Sequence, residues 1–348
     1  MIVLIIAGGA GTRLWPVSTP EYPKHLLKIN SNDRSLLQQT YSRVERLSKK
    51  IYVISEASHA AHVREQLPNL TDEHFIIEPA RRGTANCIAL ALAYLSNHED
   101  NDEPLVFLAA DHFVRDADGF RHSFKIAAEV SKKNKRIVLV GAEPNYPATG
   151  FGYIEKGKVL NEKDFVFNVK SFKEKPTFEV ARKYFKDGGF LWNCSYFVGS
   201  INVFEASISK YAPALFLNLR RLKKITAESK KYDEVYLSLE KDTIDYALIE
   251  KVPDLLVVPA SFDWIDVGSF SDWYKVVEPD NNGNHITGDM IETLEIENSF
   301  IQNHSNKPLA VIGLDNVVVI NSKNGTLVVR KDLAQKVGDV SGRFYKET

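Results

Sequence analysis

Three glycines, Gly8, Gly9 and Gly11, stand directly after an apolar run that ends at Ala7, and Thr12, Arg13, Leu14, Trp15 and Pro16 follow them. Several glycines in one turn let the backbone approach a ligand closely and aim its N–H groups at phosphate oxygens. Arg13 and Lys24 add two cations, and Pro16 and Pro23 stiffen the segment between them. That combination suits a site that must neutralise several phosphate charges at once. It is not a Walker A loop, because no Gly-Lys-Ser/Thr follows, and Leu14 stands where a dinucleotide fingerprint needs its third glycine. The chemistry expected is therefore a nucleoside triphosphate cradle, against the plainer alternative of a tight strand-to-helix turn.

Two carboxylates extend this picture. Asp111 follows the apolar run Leu105 to Ala110, at the carboxyl end of a strand where ligands of parallel sheets gather. Asp266 lies in a second turn, Asp263 to Gly268. If they meet across a cleft beside a triphosphate, they would hold a hard, oxygen-seeking cation, Mg²⁺ rather than zinc. Taken singly, each reads more readily as a turn or cap residue.

The elements that must position these groups can be read from hydrophobic periodicity. Met1 to Ala7, Lys50 to Ser55, Pro104 to Ala110 and Arg136 to Gly141 are continuous apolar runs, as in strands covered on both faces. Between them, Ser35 to Leu47, Thr84 to Leu95 and Phe120 to Ser131 repeat at helical spacing. The alternation predicts an α/β fold with a mixed, mainly parallel sheet and helices on both faces. From Gly150 to Val198 shorter strands suggest the wall of a pocket. The turn-rich stretch Pro279 to Asn284 then leads into short β runs at Leu309 to Ile312, Val317 to Ile320 and Thr326 to Val329. We expect a large domain over 1–280 and a small β domain over 281–348, for which coils of a left-handed β-helix are one arrangement.

Bulk composition excludes several roles. With 44 Lys plus Arg against 45 Asp plus Glu, the net charge of -1 gives no general reason to expect nucleic acid or an anionic membrane as partner. Two cysteines, Cys87 and Cys194, are too few for a disulfide scaffold and read as reduced, buried thiols. The first apolar run is too short to span a membrane and has no basic segment before it. A cytoplasmic protein is expected.

The motifs together resemble those of the sugar-1-phosphate nucleotidylyltransferases, most closely the members that act on mannose 1-phosphate. The resemblance runs in order through Gly8 to Pro16 with Pro23-Lys24, Glu78-Pro79 with Arg82 to Ala85, Ala110-Asp111-His112 and Gly150 to Ile154. It continues through Glu174-Lys175-Pro176, Trp192-Asn193, Asp245-Tyr246-Ala247 and Asp266 to Ser269, covering about residues 1 to 275. It implies a Rossmann-like nucleotidyltransferase fold of the GT-A-like kind, with a β-helix-like C-terminal domain, and transfer of GMP from GTP to mannose 1-phosphate. It further implies that Gly8, Gly9, Gly11, Thr12, Arg13, Glu78, Arg82, Thr84, Ala85 and Asp111 bind the nucleotide. Asp111 and Asp266 then bind Mg²⁺, Arg13 and Lys24 act on the phosphates, and Gly152, Glu174, Lys175 and Asn193 hold the sugar phosphate. Glu78 could accept from the N1–H and exocyclic amine of guanine together, which favours GTP over UTP or dTTP. Gly83 departs from the pattern, in which asparagine is usual. The chain is too short for the isomerase domain fused in some relatives, so one activity is expected, with a homodimer as the assembly. The rival readings are a guanylyltransferase for a heptose or fucose phosphate and a non-catalytic regulatory subunit that binds a nucleotide sugar.

Overall fold

The computed structural model of the chain describes residues 1–9, 11–30, 33–225 and 231–345. Its first half alternates strand and helix. In order these are β1 (Ile2–Ala7), α1 (Leu36–Val44), β2 (Lys50–Glu56), α2 (Ala60–Gln66), β3 (Phe75–Glu78), α3 (Gly83–Leu95), β4 (Pro104–Ala109), the short β5 (His112–Phe113), α4 (Ala117–Asn134) and β6 (Val138–Ala142). Along β1, Val3 and Ile5 enter one core with residues of α1 and α4, whereas Ile2 and Leu4 enter a second with α3. Both faces are covered, which is why the run carries no polar residue. Helix α1 begins where the Ser35 hydroxyl accepts from the Gln38 N–H and the Gln38 side chain accepts from the Ser35 N–H. That reciprocal cap satisfies two backbone donors at once.

The second half brings β7 (Tyr153–Asn161), β8 (Val166–Lys173), α5 (Phe178–Asp187), β9 (Phe190–Ser200), α6 (Ile201–Tyr211), α7 (Pro213–Leu222), α8 (Lys231–Leu237), α9 (Ile244–Ala247), β10 (Leu256–Pro259), β11 (Ile265–Asp266) and α10 (Phe270–Tyr274). Nine strands form one sheet in the order β3-β2-β1-β4-β9-β6-β10-β8-β7. Pairing is parallel from β3 to β4 and between β6 and β10. It turns antiparallel around β9 and in the edge formed by β7 and β8. Parallel pairing is thus confined to less of the sheet than the apolar runs suggest, because burial on both faces is blind to chain direction. The antiparallel part forms the wall expected between Gly150 and Val198.

The C-terminal part stacks β12 (His285–Gly288), β14 (Phe300–His304) and β16 (Val317–Ser322) in parallel, with Ile286 beside Ile301 and Ile301 beside Val319. Alongside, β13 (Ile291–Leu294) pairs in parallel with β15 (Leu309–Ile312), and β17 (Gly325–Arg330) closes the stack antiparallel to β16. This is a β-helix-like coil. Inside it, Asn321 Nδ2 donates to Asn303 Oδ1 at 3.1 Å, and Asn303 Nδ2 donates to the carbonyls of Asp289 and Lys307, each at 2.8 Å. These bonds satisfy backbone that a turning coil leaves unpaired.

Two features tie this C-terminal part to the rest of the chain. Phe300, Val318, Ile320 and Ala334 share one core with Leu14, Val267, Phe270 and Trp273, so the coil is welded to the glycine turn and the Asp266 loop. A final helix, α11 (Val337–Phe344), returns to the residues after the glycines. Gly338 and Gly342 give it poor intrinsic propensity, and its contacts with the turn hold it in place. Cys87 and Cys194 are both buried and unpaired. Among the described residues no helix is long and apolar enough to cross a membrane.

Candidate active site

The glycine turn leaves the end of β1. Gly9 and Gly11 both have positive φ, 101° and 58°, which side-chain-bearing residues adopt only at a cost. At Gly11 a Cβ would also stand 2.5 Å from Ser18 Oγ and 2.8 Å from the Lys24 backbone nitrogen. The turn is therefore folded tightly against Lys24. Gly8 has no neighbour closer than 3.9 Å to such a Cβ, and Ala10 lies outside the described residues. Thr12 and Arg13 occupy the short 3₁₀ turn that follows, Thr12–Leu14.

Lys24 is buried at the start of another 3₁₀ turn, Lys24–Leu26. Its ammonium stands 2.8 Å from Asp111 Oδ2 and 2.7 Å from Asp266 Oδ1. Asp111 lies in the turn between β4 and β5, and the two-residue ladder of β5 with β11 sets Asp266 opposite His112. A pairing of two residues thus brings together acids far apart in the chain. Burial alone would push the Lys24 pKa down, but the charges of Asp111 and Asp266 outweigh it and hold it above the ordinary value. Burial would likewise raise both carboxyls, yet the Lys24 ammonium keeps Asp111 and Asp266 below the usual carboxylate range. His112 braces the pair: its Nδ1 lies 3.0 Å from the Tyr196 hydroxyl, and its carbonyl accepts from Arg43 Nη2 at 3.1 Å.

The donor set is two carboxylates, and among the described residues no cluster of three His, Cys, Asp or Glu side chains adds a further ligand. Two hard oxygen ligands fit a divalent cation that keeps water and takes the rest of its shell from phosphate, as Mg²⁺ does. Already held there by both acids is one positive charge, that of Lys24.

Arg13 reaches the same loop. A Cβ on Gly268, two residues beyond Asp266, would stand 3.3 Å from Arg13 Nη1, and that nitrogen donates to Gln335 Oε1 at 3.3 Å.

The residues assigned to the sugar phosphate also come together. A Cβ on Gly152 would collide with Glu174 Oε2, and the Asn193 N–H donates to the Gly152 carbonyl at 2.8 Å. Glu174 Oε1 pairs with Lys175 Nζ at 3.0 Å, while Oε2 is buried with no hydrogen-bond partner. Asn193 Nδ2 donates to Asp245 Oδ1 at 2.9 Å. Burial, followed by the nearby charge of Glu174, pushes the Asp245 carboxyl up to about 6. Asp245 belongs to a motif visible in the sequence, but only its contact with Asn193 marks it as part of the site. Between the two centres runs an aromatic wall, His112 to Trp264 at 5.1 Å, Trp264 to Phe151 at 5.0 Å and Phe151 to Trp192 at 5.2 Å between ring centroids.

The segment assigned to the base has protein partners of its own. Glu78 is buried beneath α8, where the Tyr236 hydroxyl donates to its carboxylate, and burial lifts its pKa to about 7. The Thr84 hydroxyl accepts from the Ile244 N–H at 2.9 Å, and the Ala85 N–H donates to the Asp242 carbonyl at 3.2 Å. The Asp242 N–H donates to the Arg82 carbonyl at 3.3 Å. In this structure, then, Glu78, Arg82, Thr84 and Ala85 are engaged by the later loop and helix, so contact with a base requires these partners to be exchanged. Gly83, in place of the usual asparagine, has φ 81° and lies so close to the Asp242 backbone that no Cβ fits. The departure is a steric consequence of that packing.

Comparison with known proteins is consistent over the whole chain. The nucleotidyl transferase family model matches residues 2–283, and the model of the mannose-phosphate isomerase/GMP-like β-helix domain matches 288–343. An Escherichia coli protein named mannose-1-phosphate guanylyltransferase is 35% identical over 99% of this chain and 76% of its own. Another of that name from Escherichia coli K12 is 33% identical over 97% of this chain and 72% of its own. A crystal structure from Thermus thermophilus, described as a mannose-1-phosphate geranyltransferase, is 28% identical with a TM-score of 0.87 and covers 99% of this chain and 98% of its own.

Proposed function

This chain belongs to the nucleotidyl transferase family, and we propose that it transfers GMP from GTP to mannose 1-phosphate, giving GDP-mannose and pyrophosphate. The observation that carries the reading is the ammonium of Lys24 bonded to Asp111 and Asp266 together, beside the turn of Gly9 and Gly11. Such a cluster joins a cation-binding pair of acids to a phosphate-binding backbone in one place. The names of the relatives add the guanylyl donor and the mannosyl acceptor.

In the reaction a phosphate oxygen of mannose 1-phosphate forms a bond to the α-phosphorus of GTP as the bond from that phosphorus to the β-phosphate oxygen breaks. The nucleophile is ionised at neutral pH, its second pKa being near 6, so no side chain need act as general base. The backbone of Gly8, Gly9, Gly11 and Thr12 cradles the triphosphate, and Arg13 and Lys24 neutralise its charge, Lys24 passing from the carboxylates to phosphate. Asp111 and Asp266 would hold a divalent cation, proposed to be Mg²⁺, which would supply charge neutralisation at the triphosphate and pyrophosphate. Glu174 Oε2, unpartnered and buried, accepts from a sugar hydroxyl; Asn193 and Gly152 set the close approach, and Lys175 meets the sugar phosphate. Glu78, Arg82, Thr84 and Ala85 are proposed for the guanosine side once Tyr236 releases Glu78. We further propose residues 1–280 as the catalytic domain, 281–348 as a smaller β domain, a cytoplasmic location and a homodimer.

Incubation with each of the four nucleoside triphosphates and a panel of sugar 1-phosphates, read by pyrophosphate release, tests the assignment. GTP with mannose 1-phosphate should give the highest kcat/KM by at least about tenfold. A higher value with a heptose or fucose phosphate moves the substrate, and no release with any pair removes catalysis.

A further inference from the structure

Arg13 runs between two walls that come from different parts of the chain. Gly268 forms one; a Cβ there would stand 3.3 Å from Arg13 Nη1. Gly338, in α11, forms the other; a Cβ there would stand 2.8 Å from Arg13 Cγ. At its tip the guanidinium donates from Nη1 to Gln335 Oε1 at 3.3 Å. Gln335 Nε2 in turn donates to Asp272 Oδ2 at 3.4 Å, in the helix that follows the Asp266 loop. Neighbouring contacts repeat the pattern. The Ser341 hydroxyl donates to the Thr12 carbonyl at 2.8 Å, the rings of Phe344 and Trp15 meet at 4.9 Å, and Asn324 Nδ2 donates to the Pro16 carbonyl at 3.0 Å.

An arginine side chain on a short turn has many rotamers, and a cation in the wrong one does nothing for a phosphate group. We propose that the C-terminal segment Lys331–Phe344 is a positioning element for Arg13, in which the Gly338 notch fixes the stem and Gln335 fixes the guanidinium. The β-coil domain is thereby part of the catalytic apparatus, since it sets where a phosphate-facing cation stands. Gln335 and Gly338 touch no substrate; they act through Arg13. The inference rests on the reading of Arg13 as a group that acts on the triphosphate.

Gly338→Ala is the most informative variant, because alanine is the better helix former and α11 should not be weakened by it. Its methyl group contests the space of Arg13 Cγ. In the full-length protein kcat for pyrophosphate release should fall roughly tenfold, with the melting temperature maintained, and Gln335→Ala should cause a smaller fall of roughly threefold. Each is then repeated in an Arg13→Ala background, where the Cβ of residue 13 would lie 3.9 Å from the methyl carbon that Gly338→Ala introduces and the contest is gone. There neither substitution should lower kcat further. A full additional loss in the Arg13→Ala background would show that the segment acts on something else and would overturn the proposal, as would an unchanged kcat for Gly338→Ala alone. If Arg13→Ala by itself keeps full kcat, the reading of Arg13 fails first and the positioning role fails with it, an outcome distinct from additivity.

Discussion

Lys24→Met probes the electrostatics of the site with one substitution. The Lys24 side chain is 8% exposed, and its ammonium is the counter-charge of two acids at 2.7 and 2.8 Å. Methionine keeps most of the length and the apolar stem but leaves both carboxylates uncompensated. At an effective dielectric of about 20, one such pair is worth roughly 6 kcal/mol before the desolvation of either ion is counted. Asp111 and Asp266 are 26% and 23% exposed, so water screens part of this. The cost of removing one partner of a buried pair is about 3–5 kcal/mol. At about 2.1 cal/mol/K per residue, the 348 residues have an unfolding entropy near 0.7 kcal/mol/K, so the melting temperature should fall by roughly 4–7 °C. Thermal unfolding without nucleotide, with and without millimolar Mg²⁺, reads the effect. The cation should restore most of the loss in the methionine variant and shift the parent protein less, because there it must displace an ammonium. A variant that melts with the parent, or whose melting ignores the cation, would refute the idea that the acids need a positive charge between them.

Other substitutions test other parts of the site. Asp111→Asn and Asp266→Asn should each lower kcat by about 10³ or more with the fold retained, measured as pyrophosphate release; near-normal turnover in either would remove it from the metal-binding pair. Gly152→Ala should raise KM for mannose 1-phosphate about tenfold, because its methyl group displaces Glu174, and should leave KM for GTP little changed; equal effects on both would contradict the placement of Glu174. Gly83→Asn, although it restores the residue usual in relatives, should destabilise by roughly 2–4 kcal/mol in urea unfolding, since its side chain meets the Asp242 backbone; unchanged stability would argue against that packing. Glu78 gives a pH dependence. Its folded-state pKa of about 7 lies above the ordinary 4.5, so its contribution is intact in acid and is lost as pH rises through about 7. Glu78→Gln should therefore gain on the parent by up to roughly 3 kcal/mol between pH 5 and pH 8, and a gap that does not change with pH would contradict the burial of that carboxyl.

Much of the architecture was legible because it follows from local chemistry. The run from Ile2 to Ala7 reports two covered faces, and Ser35 with Gln38 marks a helix start by itself. Short β runs with turn residues between them were enough to expect coils, since each coil repeats the same need for a corner. Direction was less legible: β9 is buried along nearly its whole length, as a parallel strand would be, and only its partners show that it runs the other way. For Asp111 and Asp266, residue type suggested a hard cation, but the two-residue ladder that joins them has no pattern of its own. Nor could spacing show that Lys24 bridges them. That Glu78, read as an acceptor for a base, also accepts from Tyr236 was not legible, since this contact between residues 158 apart depends on how α8 packs. The weld between the coil and the glycine turn was hidden for the same reason, because Phe300 and Val318 look like any inward residues of a short strand.

The most direct measurement is a crystal structure with GTP and Mg²⁺ bound. The expected result is a metal ion ligated by oxygens of both Asp111 and Asp266 at about 2.0–2.1 Å, the triphosphate against the N–H groups of Gly9 and Gly11, and Lys24 turned from the acids to a phosphate. A triphosphate bound elsewhere, or a Lys24 still bonded to both acids with the metal outside them, would contradict the account.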